Sequence, residues 1–191
     1  MTKALATLVS ILLLAGGLAL LAYARWTRAV GDGDAALVGG NDAQAIAAYQ
    51  AAEARFDGVP AVRQLAATEY SRVVGNHMLA LYRSRRYDEV IDLAQKAPPD
   101  AAPHFWSGCA LFQKATAEGQ PEARLGWLSR AEDELRKAVE ATPDDWDTKF
   151  DFELTTRLAA ELRRQPNTPP KQLMQLLRPP TAGQKTPRRI G

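Results

Sequence analysis

The sequence predicts an all-α protein with a transmembrane helix at its N-terminus. One long segment is apolar and uncharged, apolar residues elsewhere recur at helical spacing, and no segment alternates with the period of a strand. The chain has 191 residues, of which 46% are hydrophobic, enough for one domain beside a membrane segment. We expect an anchor with its flanks at 1–28, a linker at 29–41, a helical-repeat domain at 42–164 and a basic, proline-rich, disordered tail at 165–191.

The predicted membrane helix covers residues 4–24, which contain no charged side chain. A helix of this length spans about 31 Å, close to the roughly 30 Å thickness of a hydrocarbon core. Lys3 precedes the segment, while Arg25 and Arg28 follow it, so the positive-inside rule does not fix its orientation. The alternative is a signal peptide cleaved after Ala24, but the apolar region of such peptides is normally shorter, about 7–15 residues.

Turn residues divide the helical domain into six predicted helices. Asn41 or Asp42 can cap the first of them, and Pro121 suits the first position of the fifth. The predicted bounds are 42–56, 61–84, a short helix that ends at Pro98–Pro99, 101–117, a helix that runs to Thr142, and 146–164. Trp106 and Trp146 fall in amphipathic helices, so we expect both in the core.

Small residues occur at regular positions in the fifth helix. Ala131, Leu135 and Ala138 share one face, because 3.6 residues per turn bring positions i, i+4 and i+7 into line. Pro143 then ends the helix. Such a face lets another backbone approach closely, as a tightly packed helical hairpin requires.

These offsets resemble the second half of a tetratricopeptide repeat, and Gly108 fits the glycine of its first half. An early start of the fifth helix would absorb the extra residues between the two halves. Weaker copies are YDEVIDLAQKA and AIAAYQAA. The alternative is a generic alanine-rich bundle. A repeat array implies a surface that binds another protein, for which Trp127 and Leu128, in the early part of the fifth helix, are the candidate contacts.

The segment PDDWDTKFDFELTTRLAAEL resembles a P-D-D-x-D-A-K-Y-N-L-E segment in helical-repeat proteins encoded beside MoxR-type ATPases and von Willebrand factor A proteins. The identical residues are Pro143, Asp144, Asp145, Asp147, Lys149 and Glu153, and the departures are Thr148, Phe150, Asp151 and Phe152. Size, single anchor and basic tail are most similar to the MxaK-type accessory proteins of bacterial methanol oxidation.

This resemblance implies a single-pass protein of the bacterial inner membrane with a periplasmic domain. It implies protein partners, namely a MoxR/von Willebrand A-type assembly complex and methanol dehydrogenase, whose maturation and calcium supply the family assists. A general scaffold for another envelope assembly complex is the alternative.

The residues predict no catalytic, cofactor-binding or nucleic-acid-binding site. The basic charge lies in the tail, which has no acidic residue, so the rest of the chain is slightly acidic, unlike a nucleic-acid-binding domain. No metal-binding Cys/His spacing, phosphate loop or dinucleotide motif occurs. Cys109 is expected to be structural and buried, with a cysteine-dependent activity as the enzymatic alternative.

Two groups of aspartates offer oxygen atoms of the kind that calcium prefers. They are Asp32 with Asp34, and Asp144 with Asp145 and Asp147. Short acidic turns also cap helices, and neither group has the spacing of an EF-hand loop, so we expect caps and solvated turns without a bound metal.

Overall fold

The computed structural model describes residues 2–164, with side chains from Ile11 onward except at positions 19, 20, 22 and 26. The regular elements of this part are helical: α1 Thr2–Val38, α2 Asp42–Gly58, α3 Pro60–Leu65, α4 Ala67–Arg83, α5 Tyr87–Ala94, a 3-10 turn at Pro99–Ala101, α6 Pro103–Ala117, α7 Pro121–Ala141 and α8 Trp146–Arg164. The all-α prediction is confirmed for these residues. The predicted disordered tail, 165–191, lies outside them.

The first helix is long and apolar enough to cross a membrane, judged by its length and composition. It continues through most of the predicted linker at 29–41, which is therefore wrong as a linker. Ala29, Val30 and Ala36 are buried in the domain core. Glycines disfavour an isolated helix, but packing against the domain overrides that local preference.

Tyr49 explains why a glycine stands at position 33. A Cβ atom there would lie 2.7 Å from the Cε1 atom of Tyr49, so only a residue without a side chain lets the ring pack on α1. The Tyr49 hydroxyl donates a hydrogen bond to Oδ1 of Asp34 at 2.7 Å. The predicted cap of α2 is also confirmed, since Oδ1 of Asn41 accepts a hydrogen bond from the backbone N–H of Gln44 at 3.2 Å.

Helix α4 packs with α1 and α2 and contacts Asp34. Arg72 Nη1 donates to both oxygens of Asp34, at 2.9 and 3.1 Å, and Asn76 Nδ2 lies 3.3 Å from Oδ1. Asp34 thus joins α1, α2 and α4 and is a bridging residue of the fold. The predicted second helix, 61–84, is broken at Ala66, which separates α3 from α4.

The second half of the domain is built around the α6–α7 pair. These helices are antiparallel, and a Cβ atom at Gly108 would lie 2.6 Å from Cγ of Leu135. Ala131, Leu135 and Ala138 are buried, as their shared face predicts. Helix α7 begins at Pro121, about three turns before Ala131, which confirms its early start. Helix α8 then packs antiparallel on α7.

The Asp34 junction can be tested by substitution. We expect Asp34→Ala to lower the free energy of unfolding by about 1–3 kcal/mol, because the buried Tyr49 hydroxyl loses its acceptor. Urea unfolding of the full chain in detergent micelles, followed by circular dichroism, measures this. Asp32→Ala is the control, since Asp32 is exposed on the same helix and should change stability by less than about 0.5 kcal/mol. Equal effects would contradict the bridging role.

The close approach of α6 and α7 generates a second prediction. We expect Gly108→Ala to destabilise the fold by about 1–3 kcal/mol, because the new methyl group would overlap the Leu135 side chain. Gly126→Ala is the matched control: Gly126 lies inside α7 with no atom within 4 Å of its added Cβ, so stability should stay constant or rise by about 0.5–1 kcal/mol. The same unfolding assay separates the two variants.

Candidate partner-binding face

Helix α8 starts at a turn whose carboxylate caps it. Asp145 accepts hydrogen bonds from the backbone N–H of Asp147 at 3.1 Å and from Oγ1 of Thr148 at 2.6 Å. The hydrogen bond from Thr148 is the main reason why the pKa of Asp145 is lowered. Asp145 thus acts as the cap that the sequence predicts for this acidic turn.

One face of α8 packs on α7, and another carries apolar side chains into solvent. Thr148, Thr155 and Ala159 form the buried face. On the flank, Phe150 is 65% exposed and Leu154 and Leu158 are each 37% exposed. These last three residues are four positions apart and form a continuous row, which we call the α8 apolar face.

Trp146 lies at the start of this helix and is 78% exposed, so the prediction that it is a core residue is wrong. Its ring is covered from one side by Lys149, whose Nζ atom lies 4.8 Å from the ring centroid. The cause is its position in the first turn of α8, the last described helix, which is covered mainly by α7. Trp106 is half-buried and packs on Tyr82 at a ring-centroid distance of 5.9 Å, in agreement with its predicted core role.

Two shallow depressions adjoin the α8 apolar face. Leu154 lines the first, of about 100 Å³, with Tyr82 from α4 and with Cys109 and Phe112 from α6. Leu158 lines the second, of about 390 Å³, between α6, α7 and α8. The exposed row therefore continues into two recesses that could receive side chains of a bound segment.

The α8 charges nearest Leu154 and Leu158 are acidic. At 100° per residue, Asp147, Asp151 and Glu161 fall on the same flank as Leu154 and Leu158. Two basic residues also border the face: Arg157 falls beside Phe150 and pairs with Glu153, and Arg124 of α7 lines the second depression. The face is therefore an apolar row whose α8 border beside Leu154 and Leu158 is acidic, with one paired arginine beside Phe150.

Cys109 lies at the floor of the first depression, where its surroundings oppose ionisation. Burial raises the pKa of the thiol far above its ordinary value, and the Asp151 carboxylate raises it further. The Sγ–Oδ2 distance between the two is 3.6 Å. His104 pairs instead with Glu134 at 2.7 Å. The pKa of the thiol is thus raised, whereas a cysteine nucleophile typically has a lowered one.

The two candidate contacts predicted in α7 occupy different environments. Trp127 is half-buried, and its ring is flanked by Lys114 Nζ and the Arg130 guanidinium, 4.4 and 4.9 Å from the centroid. Leu128 is only 4% exposed and packs under α8, so it supports the second depression from below. The sequence does not predict the α8 apolar face, because its spacing of four is also the spacing of a buried stripe.

Within residues 2–164, no three His, Cys, Asp or Glu side chains converge as a metal site would require. Comparisons of the chain with protein-family models, curated proteins and solved structures give no match.

The buried thiol gives a direct prediction. In the native chain at pH 8 we expect iodoacetamide to modify Cys109 at least about 10-fold more slowly than in urea, because burial limits access and disfavours the thiolate. Mass spectrometry of timed samples measures the rate, and the unfolded chain is its own control. Native labelling as fast as in urea would contradict the buried, protonated thiol.

Proposed function

We propose that this chain is a non-catalytic adaptor, tethered to the membrane through residues 4–24, that binds a protein partner on the α8 apolar face. The observation that carries the proposal is the exposed row of Phe150, Leu154 and Leu158 at the end of the described helical array. Large apolar side chains in a continuous exposed row are typical of surfaces that a partner covers.

The chemistry of the face indicates the kind of partner. An amphipathic helix laid in a groove presents apolar side chains three or four positions apart, which matches the spacing of the row and its two recesses. The border formed by Asp147, Asp151 and Glu161 favours basic residues beside that apolar stripe. The proposed ligand is therefore a basic amphipathic segment of another protein.

The proposal includes the architecture of the domain, which we infer to be an array of tetratricopeptide-like helical hairpins. Helices α4 and α5, then α6 and α7, follow one another as short-loop pairs, with α8 as a final single helix. The close contact at Gly108 and the small buried residues Ala131 and Ala138 support repeat-like hairpins. A generic helical bundle is the alternative architecture.

The sequence resemblance gives the proposed setting: an inner-membrane protein with a periplasmic domain that assists maturation of methanol dehydrogenase beside a MoxR/von Willebrand A-type complex. Its matching residues lie in the turn that leads into α8 and in the first half of that helix, next to the proposed binding face. A general scaffold for another envelope complex would use the same face and differ in its partner.

Growth of a deletion strain on methanol, with the calcium content of its methanol dehydrogenase, tests this setting. We expect poor growth and calcium-depleted enzyme, both restored by the wild-type chain. The Leu154→Ser/Leu158→Ser double variant should restore neither, because it removes two of the three residues of the apolar row.

Val38→Ser is the control, since Val38 is an exposed apolar residue of α1 that lines neither depression, and it should restore growth fully. Co-purification of methanol dehydrogenase with the wild-type chain, and its loss with the double variant, would attribute the defect to binding. Normal growth and fully metallated enzyme in the deletion strain would refute the maturation role and leave the general scaffold.

A further inference from the structure

The corner between α2 and α4 carries apolar side chains that the domain does not cover. Helix α3, Pro60–Leu65, contributes no buried residue to the core. Leu65 is 90% exposed, and Val59, immediately before the helix, is 40% exposed. Both lie at one end of the domain, far along the chain from the α8 apolar face.

The antiparallel packing of α2 on α1 determines where this corner lies along the axis of α1. Tyr49 lies beside Gly33 and Asp34, and six residues later Arg55 Nη1 donates to the backbone carbonyl of Arg25 at 3.1 Å. The end of α2 at Gly58 therefore reaches the level where the apolar segment 4–24 ends, because three more helical residues add about 4.5 Å.

The start of α4 confirms this geometry from the other side. Tyr70 packs edge-on against Phe56, with ring centroids 5.4 Å apart, and α4 then runs back so that Arg72 reaches Asp34. The corner formed by residues 57–66 thus lies at the end of the domain that faces the apolar part of α1.

The charges at this level are mainly basic. Arg25 and Arg28 follow the apolar segment, Arg55 reaches the same level from α2, and Arg63 lies in α3. The acidic residues nearby are Asp57, which pairs with Arg63 at 3.0 Å, and Glu69 at the start of α4, which pairs with Arg72 at 2.7 Å. The Arg63 guanidinium also lies 4.4 Å from the centroid of the Tyr70 ring. Guanidinium groups bind phosphate well, so the corner combines apolar side chains with the cations that suit lipid headgroups.

We propose that α3 and its flanks rest on the lipid surface, with Leu65 and Val59 at the boundary between headgroups and acyl chains. The domain would then contact the membrane at two places, through α1 and through this corner, which sets its tilt. Short amphipathic segments bind membranes in this way. The inference rests on the proposed membrane placement of residues 4–24.

A depth measurement on the full chain tests the proposal. In a Cys109→Ser background, Leu65→Cys is labelled with an environment-sensitive NBD fluorophore and reconstituted into phosphatidylethanolamine/phosphatidylglycerol vesicles. We expect blue-shifted emission and strong quenching by spin-labelled lipids. Val59→Cys provides a second reporter, which should show the same response at lower amplitude because that side chain is less exposed.

Val38→Cys is the matched control, because Val38 is also 90% exposed but lies at the opposite end of the domain. Its label should emit as in water, with quenching several-fold weaker than at Leu65. Equal quenching at the two positions would overturn the proposal. A blue shift at Leu65 without lipid quenching would also overturn it, because a protein surface would then cover the corner.

Flotation of the same samples separates the inference from the tether on which it rests. Chain that does not float with the vesicles would refute the membrane placement of residues 4–24, and the inference with it. Chain that floats while its Leu65 label stays in water would leave the tether intact and refute only the second contact.

Discussion

The carboxylate of Asp34 is the junction on which the arrangement of this domain depends. It accepts hydrogen bonds from the Tyr49 hydroxyl and from Arg72, and so connects α1 to both α2 and α4. Burial is the main cause of the raised pKa of Tyr49, and Asp34 adds to it, so the phenol keeps the proton that it donates. The glycine at position 33 is required because the ring occupies the space of a side chain there.

Because of this junction, the orientation of α1 determines the orientation of the domain. The helix that carries the apolar segment continues into the core, so no flexible linker separates the two. The α2–α4 corner lies at the end of the domain near the apolar segment. Tyr82, near the other end of α4, borders the depression beside Leu154. The end of the domain nearest the apolar segment and the start of the proposed partner face at the other end therefore follow from the same packing.

The sequence predicted most helix boundaries because prolines, glycines and capping residues act locally. It failed at 29–38, where glycine and aspartate favour a linker in isolation but packing against Tyr49 favours a helix. It also failed at Trp146 and missed Phe150 for a different reason. Helical spacing shows which residues share a face, but whether another element covers that face depends on the tertiary arrangement.

The residues around α8 that match the similar segment, and those that depart from it, can each be assigned a place in the structure. Asp145, which the chain shares with the similar segment, caps the helix, and Pro143 belongs to the turn before it. Phe150 and Asp151, where the chain departs from that pattern, lie on the exposed flank. The shared residues thus build the entry into α8 and add Asp147 to the border of the proposed binding face. Of the departing residues, Phe150 and Asp151 lie on that face, whereas Thr148 donates to the cap. Selectivity for a partner should therefore arise from Phe150, Asp151 and the leucines beside them, because the capping turn would serve any partner equally well.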